Sequence, residues 1–428
     1  MASETSKWQR PPTGCVLFKD GIQPMDIRQG YIGDCYFMSA ISVVGESRIQ
    51  DIFMWKNPEF NKQAMENCGA YIVKFYINQQ IVYIIVDDIL PYGRNGKLLL
   101  GQSEDEKELW PAILEKAYAK LYGNYEKIEG GKVSYVLQEL TGGLPDEIVL
   151  EQFQDNIETF WQSLVDYKKL GYIMGCGSPA HEQGDKAQSY EGIVFGHAYC
   201  IIDVRDLDGN KLLCIRNPHG NGGAEWTGDW GDNSQKWNSR LKKLVNDQFK
   251  EDGKFWMSVN DFVYEFRALY LCRIFQDSIW KQIFNIKAEW KEEKAAGLPT
   301  KKTPKAQMQK NPHYGIKVNK QCEVFISLTI EKCQDRLTGL YPIYFIVQKN
   351  GGKRVSRISS ELLVGGCKGP TQLKNATASV FLKEFSYPYT FSLMCATMEV
   401  GGESGFSLQI YCTDKTAVVI DDSEFDVK

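Results

Sequence analysis

The sequence contains no apolar run that approaches the length of a membrane-spanning helix, which needs about 20 such residues. Its N-terminus lacks the apolar core of a secretory signal. The 12 cysteines are scattered without a C-x-x-C pair, and there are only 4 histidines. This pattern predicts neither a disulfide framework nor a clustered zinc site. We therefore expect a protein of the reducing cytoplasm.

The chain also has no large excess of charge of one sign. Its 50 Lys and Arg nearly balance 54 Asp and Glu, for a net charge of −4 and a pI of about 5.8. Such a balance argues against nucleic acid as the main partner. The apolar fraction of 43% and the charged fraction of 24% are typical of a soluble globular protein. A chain of 428 residues is too long to fold around one ordinary hydrophobic core, so we expect two or three domains.

A cysteine stands at the start of a helical pattern, after a turn that contains Gly30 and Gly33. Apolar residues follow Cys35 at helical spacing, at Phe37, Ala40, Ile41 and Val44. In the first turn of such a helix, unpaired N–H groups and the helix dipole favour the thiolate, which is the nucleophilic form of sulfur. Cys35 is therefore a candidate for covalent catalysis. The alternative is a small core residue, as most cysteines are.

Helical patterns and β-type patterns follow one another along the first 275 residues. A hairpin and two helices are predicted first, at 70–77 with 81–86, at 110–122 and at 133–140. Gly142 and Gly143 then predict a hinge. After a helix that begins near Ile157, strands dominate, at 171–175, 197–204, 211–216, 255–258 and 268–274. The prediction is an α+β fold with one lobe over 1–143 and a second over 144–275.

The remainder of the chain is predicted to be all β. Residues 276–310 are rich in Lys and Glu, which favours a solvated linker. Short β-type runs then recur at regular intervals, at 315–317, 323–330, 341–348, 379–381, 390–396 and 405–412. Without a convincing helix after residue 330, the pattern predicts an antiparallel β-sandwich of about eight strands over 311–428.

A histidine and an asparagine flank one predicted hairpin. A cysteine nucleophile needs a base, and the base needs a group that orients its ring. His197 begins a strand that turns at 208–210, and Asn217 ends the returning strand. A three-residue turn would place His197 opposite Asn221, whereas a bulge or a wider loop would favour Asn217. The spacing leaves this choice open, and a lone histidine is more often structural than catalytic.

Taken together, these motifs resemble the protease core of the calpains. The matching stretches, in order, are 29–35, 114–120, 196–199, 216–218 and 251–258. The last third more loosely resembles the calpain C2-like β-sandwich, and no counterpart of the EF-hand domain is present. The resemblance implies a two-lobed, papain-like cysteine protease core that is activated by calcium.

The resemblance also implies roles for four residues. Cys35 would be the nucleophile, His197 the general base and acid, and Asn217 the residue that orients its ring. Gln29 would supply an oxyanion-hole donor together with the backbone N–H of Cys35, an interaction typically worth about 3 kcal/mol in the transition state. The resemblance thereby selects Asn217 over Asn221.

Calcium is the cofactor that the resemblance implies, at two sites. The first would use the Asp26 and Glu108 carboxylates, with carbonyl support near Lys19 and Gly21. The second would use three carboxylates, those of Glu225, Asp232 and Asp252. Lys254 stands where the family usually has a further glutamate. A cation in place of a ligand weakens the site or substitutes for the ion.

One further departure lies beside the proposed triad. Family members usually have tryptophan where His219 stands, a residue that wedges between the lobes in the inactive state. We hypothesise that this wedge is weaker here and that activity depends on the protonation of His219. Unchanged pH and calcium profiles in a His219→Trp variant would contradict this.

The expectation from sequence is a monomeric intracellular cysteine endopeptidase that cleaves extended stretches of protein substrates. Calcium would close the lobes, and the C-terminal sandwich would make membrane or regulatory contacts. One competing hypothesis is a catalytically silent scaffold with the calpain fold. Another is a cysteine acyltransferase of the transglutaminase type. Since an aspartate normally orients the histidine in that class, Asn217 favours proteolysis.

Overall fold

The computed structural model divides the chain into two compact units, Met1–Ile274 and Phe275–Lys428. The residues that it describes are 5–19, 27–44, 46–54, 62–78, 80–183, 186–218, 225–246, 249–250, 252–275, 279–301, 307–335, 338–367, 369–384 and 386–421. No helix within these ranges is long and apolar enough to cross a lipid bilayer.

The first part of the first unit is built mainly from helices. These are α1 (Cys35–Val44), α2 (Glu46–Ile52), α3 (Lys62–Cys68), α4 (Trp110–Tyr122) and α5 (Val133–Thr141). Four strands accompany them as two antiparallel pairs, β1 (Thr5–Gln9) with β4 (Leu90–Gly93), and β2 (Ala70–Ile77) with β3 (Gln80–Asp87). The apolar stripe predicted for α1 is buried in the core, as helical amphipathicity requires. Strand β1 was not predicted, because the surrounding proline-rich segment indicated a loop.

A six-stranded antiparallel sheet forms the rest of the first unit. Its strands are β5 (Leu144–Val149), β6 (Ile173–Gly177), β7 (Ala198–Leu207), β8 (Asn210–Arg216), β9 (Lys254–Ser258) and β10 (Ala268–Arg273). They are arranged in the order β5-β10-β6-β7-β8-β9. Helices α6 (Ile157–Lys169), α7 (Ser239–Val245) and α8 (Val259–Glu265) lie in the connections. Gly142 ends α5 in the left-handed conformation, with φ of 73°, immediately before β5.

The β7–β8 hairpin answers the question of register. Leu207 pairs with Asn210, so the turn has two residues and not the predicted three. A bulge follows between Ile201 and Asp203, and Cys200 pairs with Arg216. Each change moves the register by one residue. Together they shift the pairing by two residues, so Asn217, next after Arg216, lies closer to His197 along the hairpin and on the same side of the sheet.

The second unit consists of two antiparallel sheets. One contains β11 (Lys281–Trp290), β19 (Ser404–Cys412), β13 (Cys322–Ile330) and β17 (Asn375–Leu382), in that order. The other contains β15 (Leu363–Gly366), β14 (Thr338–Gln348), β18 (Tyr389–Thr397), β12 (His313–Val318) and β20 (Val418–Asp421), with β16 (Thr371–Leu373) beside β14. Buried side chains from both sheets, such as Ile326 and Phe345, form one core.

The interpretation of residues 276–310 as a solvated linker is wrong for its central part. Strand β11 lies within it and pairs with β19 along its whole length. Trp290, which ends the strand, is fully buried and donates its indole N–H to the Cys395 carbonyl at 3.0 Å. The lysines and glutamates that suggested a linker occupy the exposed positions of this strand, while Ile283, Phe284 and Ile286 pack against the core.

Candidate active site

Cys35 is the first residue of α1, is partly exposed and forms no disulfide with another described cysteine. The carbonyl of the preceding residue, Asp34, accepts the N–H groups of Phe37 at 2.7 Å and Met38 at 3.1 Å. The sulfur therefore lies at the positive end of a ten-residue helix, as predicted. An anionic sulfur is favoured there.

His197 and Asn217 are joined by a hydrogen bond in the interior. His197 Nε2 lies 2.9 Å from Asn217 Oδ1, and both side chains are buried. An amide oxygen only accepts, so Nε2 is the protonated nitrogen of the neutral ring. Nδ1 then carries the lone pair that a base requires. The Tyr199 ring packs edge-on against the imidazole, with centroids 5.0 Å apart.

The main chain of His197 is held on both sides by one serine. Ser178 Oγ accepts the His197 N–H at 2.9 Å and donates to the His197 carbonyl at 3.1 Å. The histidine precedes β7 directly, so this contact fixes where the strand begins. Sequence reasoning missed Ser178, because its position after β6 gives no local signal of its partner.

A hydrogen bond joins the helix of the nucleophile to the strand that follows the histidine. Ser39 Oγ donates to the Ala198 carbonyl at 2.7 Å, and Ser39 is fully buried. Ser39 lies one turn after Cys35 on α1, and Ala198 is the neighbour of His197. The structure thus brings the predicted nucleophile and the predicted base to one junction. Ser39 could have been found from sequence, since it is a polar residue on the apolar face of a helix.

Gln29 lies in the turn that precedes α1. Its Nε2 donates one hydrogen to the Ile32 carbonyl at 2.7 Å, which leaves the second hydrogen for a ligand. Gly30 has no room for a side chain, because a Cβ there would lie 2.4 Å from the carbonyl carbon of Leu100. Tyr31 N–H donates to the Leu99 carbonyl at 2.7 Å. The turn is therefore held by the main chain of residues 99–100.

Arg216 also connects the strand of Asn217 to this turn. Its guanidinium is buried, and Nη2 donates to the Ile27 carbonyl at 3.3 Å. Arg216 immediately precedes Asn217, and Ile27 lies two residues before Gln29. The sequence motif contained this arginine, but nothing local indicated its partner, which is 189 residues away.

Of the residues predicted for the first calcium site, Glu108 and Lys19 are described, whereas Asp26 and Gly21 lie outside the described residues. Glu108 is buried, and this burial raises the pKa of its carboxyl group. One of its oxygens accepts the Lys19 N–H at 3.1 Å. The Glu108 carboxylate therefore already accepts a hydrogen bond from Lys19, the residue near which a supporting carbonyl was predicted.

Two of the three carboxylates predicted for the second site accept main-chain N–H groups of residues 253–254. Glu225 accepts the Gly253 N–H at 2.6 Å, and Asp252 accepts the Lys254 N–H at 3.0 Å. Their oxygen chemistry suits calcium. However, no three His, Cys, Asp or Glu side chains among the described residues, Asp232 included, form a metal-binding group. The arrangement as it stands does not fit the ion. His219 and Asn221 lie outside the described ranges.

The sequence is similar to those of known proteins. Residues 1–273 match the profile of the calpain family cysteine proteases. The chain is 34% identical over 439 residues to the calpain-type cysteine protease ADL1 of Oryza sativa subsp. japonica, covering 95% of this chain and 19% of that protein. It is 31% identical over 400 residues to calpain-8 of Mus musculus, covering 88% of this chain and 54% of that protein. The profile covers more than half of the chain, which therefore belongs to the calpain family of cysteine proteases.

Proposed function

We propose that the protein is a cysteine endopeptidase whose catalytic residues are Cys35, His197 and Asn217, with Gln29 as oxyanion donor. The observation that carries this proposal is the His197 Nε2–Asn217 Oδ1 hydrogen bond of 2.9 Å, and the Ser39–Ala198 hydrogen bond joins the Cys35 helix to the strand that follows this histidine. This bond directs a basic nitrogen away from Asn217, as a general base in a triad requires.

The proposed reaction uses three side chains, one main-chain N–H group and a water molecule. His197 Nδ1 takes the proton from Cys35 Sγ, and the thiolate attacks the carbonyl carbon of the peptide. Gln29 Nε2 and the Cys35 N–H stabilise the oxyanion. As the C–N bond breaks, the leaving amine takes the proton from His197, and a thioester remains. A water molecule then attacks the thioester carbonyl carbon while His197 takes its proton. The C–S bond breaks, the acid is released, and His197 returns the proton to the Cys35 thiolate.

We propose a papain-like, two-lobed core with the substrate extended between the lobes. Support comes from the helical first part and the six-stranded sheet of Met1–Ile274, which would be the two lobes. Extended peptides bind through main-chain hydrogen bonds with weak side-chain selection. The two-sheet second unit is proposed to be C2-like and to make regulatory or membrane contacts. We propose that the protein acts as a cytoplasmic monomer on protein substrates.

We also propose that calcium controls cleavage through the first predicted site, which contains Asp26 and Glu108. No step of the reaction above depends on the ion. If calcium draws the lobes together about residues 141–143, cleavage should rise with calcium and fall after chelation. Glu108→Gln should then raise the calcium concentration that gives half-maximal activity. A variant with the wild-type calcium curve would contradict this part of the proposal.

The decisive experiment is cleavage of a casein-type substrate across a calcium titration, with Cys35→Ser as the test variant. Cys68→Ser is the matched control, because Cys68 is an exposed thiol on α3 of the same unit. We expect Cys35→Ser to abolish cleavage and Cys68→Ser to retain it. Cleavage that survives in Cys35→Ser would contradict the assignment.

The same assay separates the two competing functions. A scaffold would cleave nothing at any calcium concentration, although it would still bind partners. An acyltransferase would incorporate an amine into a glutamine-containing protein and would lose that activity in Cys35→Ser. Incorporation that exceeds hydrolysis would replace the proposed function.

A further inference from the structure

A fully buried glutamate lies in the middle of α4, below the turn that leads to Cys35. One oxygen of Glu115, Oε2, accepts the Gly101 N–H at 2.5 Å, and its other oxygen is buried and has no hydrogen-bond partner among the residues that the structure describes. Gly101 lies against α1, since a Cβ there would be 2.5 Å from Met38 Cε. Glu115 is thus the side chain that ties the Gly101 segment to α4.

The segment anchored by Glu115 is paired with the turn that carries Gln29. Arg28 N–H donates to the Gln102 carbonyl at 2.8 Å, and Gln102 N–H donates to the Arg28 carbonyl at 2.9 Å. On the other side of Gln29, Tyr31 donates to Leu99, as described above. Residues 99–102 therefore hold the main chain of residues 28–31 on both sides of the proposed oxyanion donor. A shift of this segment would move Gln29 relative to Cys35.

The charge of Glu115 matters because of its neighbours. Asp34, the residue before Cys35, is also fully buried, and its charge acts on Glu115. Tyr125, in the turn after α4, is a further titratable group that interacts with Glu115. Burial first, and then the Asp34 charge, raise the pKa of Glu115 well above its usual value. Two interacting carboxyl groups that are both buried, as Asp34 and Glu115 are, do not both ionise.

We propose that Glu115 is a positioning residue for the reaction proposed above: an uncharged carboxyl group that holds residues 99–102, and through them Gln29, in place beside Cys35. Since Oε2 accepts the Gly101 N–H, the proton is on Oε1. An ionised Glu115 would leave a charged oxygen buried without a donor and would add a negative charge near the Cys35 thiolate. The neutral form avoids both costs.

The test compares Glu115→Gln with Glu115→Met. The glutamine is neutral, has the same shape and can accept the Gly101 N–H, so kcat and KM should stay within about twofold of wild type. The methionine fills the space but provides no acceptor, so kcat should fall by about tenfold or more with little change in KM. Glu139→Met is the matched control. Glu139 is also buried in the same unit, and its carboxylate accepts hydrogen bonds from the hydroxyl groups of Tyr118 and Tyr122. This control should lose stability but not kcat.

A second readout does not depend on peptide cleavage. The rate of Cys35 alkylation by iodoacetamide, followed by mass spectrometry of the Cys35 peptide, reports the thiolate directly. Glu115→Gln should give the wild-type rate across the pH range. A Glu115→Gln variant as impaired as Glu115→Met, or one that does not fold, would overturn the proposal, and so would a fully active Glu115→Met. If the wild-type protein cleaves no peptide, the proposed function fails, while the alkylation rates still decide the role of Glu115.

Discussion

The orientation of the His197 ring in the candidate triad depends on one acceptor atom, Asn217 Oδ1. Asn217 accepts a hydrogen bond from the ring, which selects the tautomer of His197. Both residues are buried, so water does not readily replace the lost partner if Asn217 is truncated. The orientation of the imidazole is therefore more sensitive to this residue than an exposed hydrogen bond would suggest.

For this reason Asn217→Ala should lower kcat by about 10- to 100-fold, because the base is no longer held in its productive tautomer and orientation. Steady-state kinetics on a fluorogenic peptide would measure the effect, and KM should change less than kcat. Asn95→Ala, in an exposed turn of the same unit, is the control and should leave both constants unchanged. Equal effects of the two substitutions would contradict the proposed role of Asn217.

A different histidine has a structural role. In the second unit, His313 Nδ1 donates to the Asn311 carbonyl at 2.7 Å, and Nε2 accepts the Val355 N–H at 2.9 Å. Both bonds require the neutral ring. Burial lowers the pKa of His313 to about 4. The stability of the second unit therefore depends on pH through His313.

The direction of this pH dependence follows from the pKa of His313 in the folded and in the unfolded protein. Because the pKa is about 4 in the folded protein and about 6.5 in the unfolded chain, the stabilisation is present above pH 6.5. It is lost as the pH falls from 6.5 towards 4, by up to about 3 kcal/mol. His313→Gln should unfold more easily at neutral pH and lose less stability on acidification. Denaturant unfolding at several pH values would measure this. The exposed His181→Gln is the control and should keep the wild-type acid dependence.

Sequence reasoning proposed the residues of the candidate site but not the residues that hold them in place. Cys35, His197, Asn217 and Gln29 belong to local motifs, and a helix start or strand end can be predicted from neighbours. Ser178 and Arg216 act through contacts with residues far along the chain, which no short window reveals. Asp26 and Gly21 stay predictions, since they lie outside the described residues.

Among the elements, the turn before α1 contains two glycines with different roles. A Cβ at Gly30 would lie 2.4 Å from Leu100 C and 2.5 Å from Leu99 O, which are main-chain atoms and cannot rotate away. A Cβ at Gly33 would meet nothing within 4 Å. Close backbone approach therefore requires glycine only at the first position.

Gly30→Ala should accordingly displace the turn, lower kcat by about tenfold or more, and cost about 1–3 kcal/mol of stability. Gly33→Ala, only three residues away, should leave activity within about twofold of wild type and stability nearly unchanged. Peptide kinetics together with thermal unfolding would measure both. Equal loss in the two variants would mean that the turn needs flexibility and not close packing.

The elements that sequence reasoning missed have a common physical cause. The bulge between Ile201 and Asp203 depends on strand pairing, so hydrophobic pattern alone could not place it. Strand β11 was hidden by its exposed lysines and glutamates, because a strand with one solvated face has the composition of a linker. The helices α1, α4 and α5 were predicted closely, since long amphipathic patterns with glycine ends are the strongest local signals.

At the scale of the whole molecule, the second unit begins at Phe275. Strand β11 covers one edge of its four-stranded sheet, and Trp290 packs against Phe406 with ring centroids 4.3 Å apart. A boundary at residue 311 would remove this strand and its buried tryptophan. The unit would then expose apolar core surface.

We therefore expect a fragment of residues 275–428 to unfold cooperatively, and a fragment of 311–428 to aggregate or lack a cooperative transition. Within the full chain, Trp290→Ala should destabilise this unit by about 3–5 kcal/mol. Lys287→Ala, exposed on the same strand, is its control. Calorimetry would measure both. A stable, cooperative 311–428 fragment would restore the linker interpretation.

The contacts that assemble the proposed site span great distances along the chain. Ser39 meets Ala198 after 159 residues, and Ile27 meets Arg216 after 189. Synthesis proceeds from the N-terminus, so the sulfur leaves the ribosome long before the hairpin that carries its base. Under the proposed mechanism, a nascent chain or a prematurely terminated product would contain the thiol but lack the base that takes its proton. Newly made protein would then be unable to cleave peptides until translation has passed β8.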